Sequence, residues 1–145
     1  MAVKGNNFLA GAYYNDNPNG NNAGAAFFYV RSGSSYSEKM KLIADDGAPG
    51  DYFGRSVALT DYFATIGAPY DDNASGTNAG AVYVYYRSGD ELLYVEKRTA
   101  SDGAAGDLFG YTTAMSGDYA VFSALYDDNA VGQDAGAVYM FEQTE

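Results

Sequence analysis

Asp71-Asp72-Asn73 returns 56 residues later as Asp127-Asp128-Asn129, and Asn15-Asp16-Asn17 stands at the same spacing before it. Each triplet opens a loop that closes near Asn22, Asn78 or Asp134. Oxygen-rich clusters of this kind suit a hard cation, because Ca²⁺ takes six to eight ligands from carboxylates, amides and carbonyls. The candidate metal set is Asp16, Asn17, Asp71, Asp72, Asn73, Asn78, Asp127, Asp128, Asn129 and Asp134, with calcium as the one cofactor considered. The same residue types also fold a loop without metal, through side-chain-to-backbone Asx turns and tolerance of left-handed backbone. Two features favour this second reading. Gly20, Gly76 and Gly132 recur in step with the acids, which marks backbone geometry, and Ser75 and Thr77 become Val131 and Gln133, which a ligand rule would not allow.

Tyr14, Tyr70 and Tyr126 recur just before these loops. An aromatic ring beside acids can stack on a sugar, although a repeated Tyr more often packs between units. Catalysis has little support. There is no His and no Cys, so the commonest general base and the best nucleophile are missing. Carboxylates are abundant but repeat with the period, whereas a catalytic site is single-copy. The sequence reads as a non-enzyme.

The loops belong to an internal repeat. Asp46-Gly47-Ala48-Pro49-Gly50-Asp51-Tyr52-Phe53-Gly54 returns as Asp102-Gly103-Ala104-Ala105-Gly106-Asp107-Leu108-Phe109-Gly110, and about half of positions 45–85 match their partners with no gap. A period of this size signals stacked or radially arranged supersecondary units. Turn signals every 8–15 residues divide each copy into four short strands. In the second copy these are Arg55–Thr60, Ala64–Ala68, Gly80–Tyr86 and Leu92–Arg98. The first three are rich in Ala, Val, Ile, Gly and Tyr, as for strands buried on both faces. The fourth carries Glu96, Lys97 and Arg98, matching Glu38, Lys39 and Lys41, and charge of this kind protects an exposed sheet edge. The expected fold is therefore all-β: β-propeller blades, each a four-stranded antiparallel meander with its charged strand outermost.

The units are expected at 1–44, lacking the start of the inner strand, at 45–100, complete, and at 101–145, lacking the outer strand. About two and a half to three blades form an incomplete propeller, whose expected partners are other blades, through self-association or as part of a longer chain. Strand parity puts the second-to-third-strand loops and the blade-to-blade linkers on one face. Eleven of the nineteen acids gather there: Asp16, Asp45, Asp46, Asp51, Asp71, Asp72, Asp102, Asp107, Asp127, Asp128 and Asp134. The net charge of −11 argues against nucleic acid and anionic membrane, which both need clustered Lys and Arg. No apolar run is long enough for a membrane span, and no signal peptide is seen. The absence of Cys removes disulfides and thiolate metal sites.

Asp51-Tyr52-Phe53-Gly54, then Ile66-Gly67-Ala68-Pro69, then Gly80-Ala81-Val82-Tyr83-Val84-Tyr85 resemble the FG-GAP repeat of integrin α-subunit propellers and many extracellular proteins. The resemblance covers essentially the whole chain in three copies. It implies an extracellular or cell-surface β-propeller acting in adhesion, ligand binding or scaffolding, with Phe53, Gly54, Gly67, Ala68, Pro69, Phe109 and Gly110 as structural residues. The third copy departs at Ser123-Ala124-Leu125, and the first has Gly11-Ala12-Tyr13 and no Phe-Gly. Integrin-like copies hold calcium in an Asp-rich loop between the first two strands. Here the turns at Thr60-Asp61-Tyr62 and Ser116-Gly117-Asp118 are too short, so that site is not carried over. The expected function is a non-catalytic binding or adhesion module with a protein or glycan ligand. The alternatives are a structural unit of a larger surface or filament assembly, or a lectin-like sugar binder formed by oligomerisation.

Overall fold

In the computed structural model, residues 1–142 are described and every regular element is a strand. Three antiparallel sheets follow one another along the chain. The first orders β1 (Ala2–Lys4), β2 (Asn7–Ala12), β3 (Ala25–Ser32) and β4 (Ser35–Leu42) in sequence. The second orders β5 (Ser56–Leu59), β6 (Phe63–Ala68), β7 (Ala81–Ser88) and β8 (Glu91–Arg98) the same way, and the third contains β9 (Phe109–Ser116), β10 (Tyr119–Ala124) and β11 (Ala137–Glu142). This is the expected all-β architecture of consecutive meander blades, and the three sheets leave the ring open. The charged strands β4 and β8 are the outer edges, largely exposed, while β5 packs beside β9 and β2 at the inner side.

Register repeats with sequence. Tyr83 faces Lys97 across β7 and β8, and Phe27 faces Lys41 across β3 and β4. Each pair of strands carries one irregularity, at Val84/Tyr85 and at Phe28/Tyr29. Of the third strands, expected to be buried on both faces, β3 and β7 are so only over their first half, β7 emerging to solvent from Tyr86 onward, while β11 alternates half-buried and exposed residues with none buried. The third blade, three-stranded among the described residues, differs in a further detail. Its inner strand starts at Phe109-Gly110 itself, because the ladder to β10 slips near Ser123 and re-forms between Ala124 and Phe109.

Apolar residues cluster between sheets. Leu9, Ala26, Phe28 and Leu42 of the first blade meet Phe53, Val57, Ile66 and Tyr85 of the second. Val82 then meets Phe109, Ala120, Phe122 and Ala124 of the third. Phe53 and Phe109 are completely buried and sit edge-on to Tyr83 and Tyr139, with ring centroids 5.1 and 5.3 Å apart. The following glycines, Gly54 and Gly110, hold φ of 91° and 84°, a left-handed region that few L side chains adopt. A Cβ on Gly67 would overlap the carbonyl oxygen of Gly110, and one on Gly11 would overlap that of Gly54. The repeated Phe-Gly motif is thus a single contact, the glycine carbonyl of one blade resting on the bare backbone of the preceding one. Ala68 and Pro69, buried beside Gly67, complete that seat.

Candidate functional site: the loop face

All the Asp/Asn loops emerge at one end of the sheets, and their side chains act mainly on their own backbone. Asp16, Asp72 and Asp128 each accept a hydrogen bond from the N–H six residues on, at Asn22, Asn78 and Asp134 (2.8, 2.8 and 2.7 Å). Those three donors sit in left-handed backbone, with φ of 54°, 54° and 51°. Asn17, Asn73 and Asn129 accept from the residue two positions on, the pattern of an Asx turn. Their amides donate across the loop to the carbonyls of Gly24, Gly80 and Gly136 (2.7, 3.0 and 2.9 Å). Of the ten candidate ligands, eight are engaged in these clasps; Asp71 and Asp127 instead turn inward. Among the described residues no three acidic side chains come together in a metal-holding group.

The loops also join neighbouring blades. Gly50, Tyr52 and Phe53, in the linker after the first blade, donate their N–H groups to the carbonyls of Asn21, Asn22 and Ala23. One period later Gly106, Leu108 and Phe109 donate to Thr77, Asn78 and Ala79. To run alongside, Tyr52 and Leu108 take φ of 57° and 56°, unusual for bulky residues. The positive-φ Asn22 and Asn78 supply the carbonyls that Tyr52 and Leu108 bind.

Asp71 is 1 % exposed and lies in a charged network. The Tyr83 hydroxyl contacts Asp46 at 2.7 Å and Asp71 at 3.1 Å, while Lys97 Nζ donates to both, at 2.6 and 2.8 Å. Burial alone would lower the Lys97 pKa, but the two carboxylates outweigh it and raise it. For Asp46, burial works upward and is outweighed by the Lys97 and Tyr83 hydrogen bonds, which hold the carboxyl below its ordinary value. Burial, then Asp46 and Asp71, push the Tyr83 phenol far above its usual value. The third blade repeats the arrangement without a cation: Tyr139 contacts Asp102 at 2.6 Å and Asp127 at 2.9 Å. In the first blade Phe27 and Asn15 replace the Tyr and Asp, Lys41 lies 5.7 Å over the Phe27 ring, and the buried Asn15 Oδ1 has no partner among the described residues.

Beside the inner strands runs an aromatic arc. Tyr14 lies 4.3 Å from Tyr13 and 5.4 Å from Tyr52, and Tyr52 lies 5.0 Å from Tyr70 between ring centroids. The Arg55 guanidinium stacks 4.3 Å over Tyr111 and 5.5 Å over Tyr13, so the arc crosses all three blades. Tyr14 is 64 % exposed. Tyr126, expected to match Tyr14 and Tyr70, is exposed beside Leu108, which stands where Tyr52 does one period earlier. Asp51, under the arc, is pushed up to about 6 by burial and then by Asp71 and Asp72, against the N–H of Ala48. Asp107, its counterpart, is raised for the same first reason.

Sequence reading missed the tyrosine–carboxylate networks, and of the arc it singled out only Tyr14 and Tyr70. The networks had a signal: Asp71/Tyr83 and Asp127/Tyr139 occur together, and Asn15/Phe27 replaces both at once. The rest of the arc had none, because Tyr13, Tyr52, Arg55 and Tyr111 do not recur with the period as Tyr14 and Tyr70 do.

Comparison with known proteins supplies a family. A family model described as FG-GAP repeat matches residues 36–85 and again 94–141, about two thirds of the chain. No match is found among curated proteins. Each matched window opens in an outer strand, β4 or β8, and closes in the third strand of the next sheet, β7 or β11. With the Phe-Gly carbonyl seated on Gly67 and the repeat matched twice, the chain belongs to the FG-GAP repeat family.

Proposed function

We propose that the protein is a non-catalytic extracellular binding module of the β-propeller type, and that its ligand lies on the aromatic arc of the loop face. The carrying observation is the arc itself: Tyr52 meets Tyr13, Tyr14 and Tyr70 edge to face, Tyr13 lies tilted against the exposed Tyr14, and Arg55 stands beside them. Aromatic faces and a guanidinium surrounded by acids suit a glycan or a protein segment, through stacking and directed hydrogen bonds. The family's usual extracellular setting and the absence of Cys and His fit this reading. Within it the Asp/Asn loops are scaffold, since their side chains close their own turns. A glycan array and a protein-ligand screen, repeated with a Tyr14→Ala/Tyr52→Ala variant, test it. A hit that the double variant loses supports the proposal; hits that survive it place the ligand elsewhere and defeat it.

One observation favours a second reading, a purely structural repeat unit. The same face staples the blades together through the Gly50–Phe53 and Gly106–Phe109 backbone bonds. Under that reading the screen finds no ligand, and the arc serves only the blade junctions.

A further inference from the structure

The tail of β4 and one face of the second sheet enclose a cleft of about 490 Å³, within the roughly 300–1,000 Å³ of small-molecule sites. Leu42 and Leu92, both buried, give it apolar walls, and the exposed Tyr94 borders it. The Tyr85 and Tyr94 rings meet at 73° with centroids 5.9 Å apart, so together they make an aromatic corner. Tyr85 is 5 % exposed, and among the described residues its hydroxyl has no hydrogen-bond partner. Burial, then Asp45, Tyr94 and Asp46, raise this phenol well above its ordinary value, so it stays protonated and its hydroxyl end stands toward the acids of the cleft. Lys41 and Asp45 line the same cleft, and neither belongs to an ion pair among the described residues.

The internal repeat gives this hydroxyl two counterparts. One period earlier the Tyr29 hydroxyl donates to Glu38 at 3.2 Å, and Glu38 stands where Tyr94 does. One period later Phe141 replaces Tyr85, Ser101 replaces Asp45, and Arg98, in the place of Leu42, stacks 4.6 Å over the Phe141 ring. Among the described residues, then, the second sheet alone keeps a buried, unpartnered hydroxyl at this position, beside a free carboxylate and a free ammonium. Packing residues such as Phe53 and Phe109 recur with the period. This set is single-copy, as a binding site is.

The free groups select a class of ligand. Asp45 only accepts hydrogen bonds, Lys41 only donates them, and the Tyr85 hydroxyl does both. A matching ligand carries donors and acceptors together, with an apolar face for the aromatic corner. We propose that this cleft between the first two blades binds a neutral pyranose, whose C–H face packs on Tyr94 and whose hydroxyls bond Tyr85, Asp45 and Lys41. An anionic sugar would meet Asp45 and Asp46 as like charges. A simple cation would meet Lys41 and leave the Tyr85 proton unmatched. The site is separate from the aromatic arc and does not depend on a ligand there.

The test titrates the whole chain with the methyl glycosides of glucose, galactose and mannose, followed in ¹⁵N–¹H spectra. At least one should give saturable shifts centred on the amides of Ile43, Tyr85 and Tyr94. Tyr85→Phe makes the change that the chain itself carries one period later, removes only the hydroxyl and should weaken binding about tenfold. Asp45→Ser, likewise borrowed from the next copy, should weaken it similarly, and Tyr94→Ala should abolish it. An otherwise parent-like spectrum establishes that each variant is folded. The Tyr14→Ala/Tyr52→Ala variant should bind the glycoside as the parent does, which separates this site from the arc. The methyl glucuronide should bind more weakly than the glucoside. Absence of saturable shifts with all three glycosides, shifts centred on the arc, unchanged affinity in Tyr85→Phe, or a glucuronide that binds as well as the glucoside would overturn the proposal. So would phenylalanine, a zwitterion, shifting these amides where no glycoside does.

Discussion

Substituting Gly67 by Ala tests the contact on which the blades rest. The added Cβ would meet the Gly110 carbonyl oxygen well inside the 3.0 Å that real Cβ atoms essentially never pass, with the carbonyl carbon at 3.1 Å. The obstacle is backbone, so no side chain can rotate away. An ordinary C···O contact needs about 3.3 Å, so the second and third blades must part by roughly 1 Å. A gap of that size forfeits a quarter to a half of the dispersion between facing atoms, here Val82 against Phe109, Phe122 and Ala124. It also lengthens the Ser56 Oγ bond to Gly110 O, now 2.9 Å. Together these amount to about 3 kcal/mol, the upper range for overpacking, or a fall in melting temperature of about 6–12 °C for a chain of this size. Ser123→Ala is the control, because Ser123 holds the same position in a blade whose outer side carries no described neighbour. It loses the two exposed hydrogen bonds that Ser123 Oγ makes with Thr112 N–H and Thr112 Oγ1 and should cost about 1 kcal/mol. Near-UV circular dichroism reports the melt, and native-state hydrogen exchange should show β9–β11 losing protection first in the Gly67 variant. A Gly67→Ala melting point within about 2 °C of the parent would refute the argument.

Three further outcomes are expected. Asp51 is protonated more readily folded than unfolded, so its contribution to stability is greatest below about pH 4 and falls by about 1–2 kcal/mol as pH rises to about 6; in urea melts across that range Asp51→Asn should remove a downward component of this size. Lys97→Met leaves Asp71 and Asp46 without a cation and should cost about 2–3 kcal/mol. The raised lysine pKa and lowered Asp46 pKa place the pair's contribution between about pH 4 and pH 10, so the penalty should shrink on acidification below about pH 4, and a pH-independent penalty would count against the ion pair. Asp72→Ala and Asp128→Ala each remove a loop clasp and should cost about 1 kcal/mol equally in calcium and in chelator, whereas a calcium-dependent melting shift abolished by either change would establish a metal site instead.

The fold was open to reading because its signals are local and repeated. Charge on the outer strands, turn residues at fixed spacing and the Phe-Gly pair each act within one blade or between neighbours, so a 56-residue comparison exposes them. Inner and outer strands followed from the charges at Glu38, Lys39, Lys41, Glu96, Lys97 and Arg98. The site was less accessible, because one residue type served several ends. Asp71 and Asp72 are adjacent and both recur, yet one clasps a loop and the other lies buried against Tyr83. Strand and loop spacing does not separate these roles; the side chain's direction does. Arg55 and Tyr111 gave no periodic signal because they occupy the same position in two copies and act as partners rather than equivalents.

The matched windows and the sheets are out of step by one strand. Each sequence unit is therefore laid like a roof tile, its outer strand on one sheet and its remaining three on the next. A cut at the hairpin tip near Gly33 or Gly89 separates sequence units but tears the first or the second sheet, leaving an orphan strand on one side and a matching vacancy on the other. A cut in a linker, near Pro49 or Ala105, leaves the sheets whole and severs only the covalent tie between them. Recombination that copies the unit in the first register hands each new copy an obligatory grip on the sheet before it, so an array of this kind lengthens without any copy being able to stand apart.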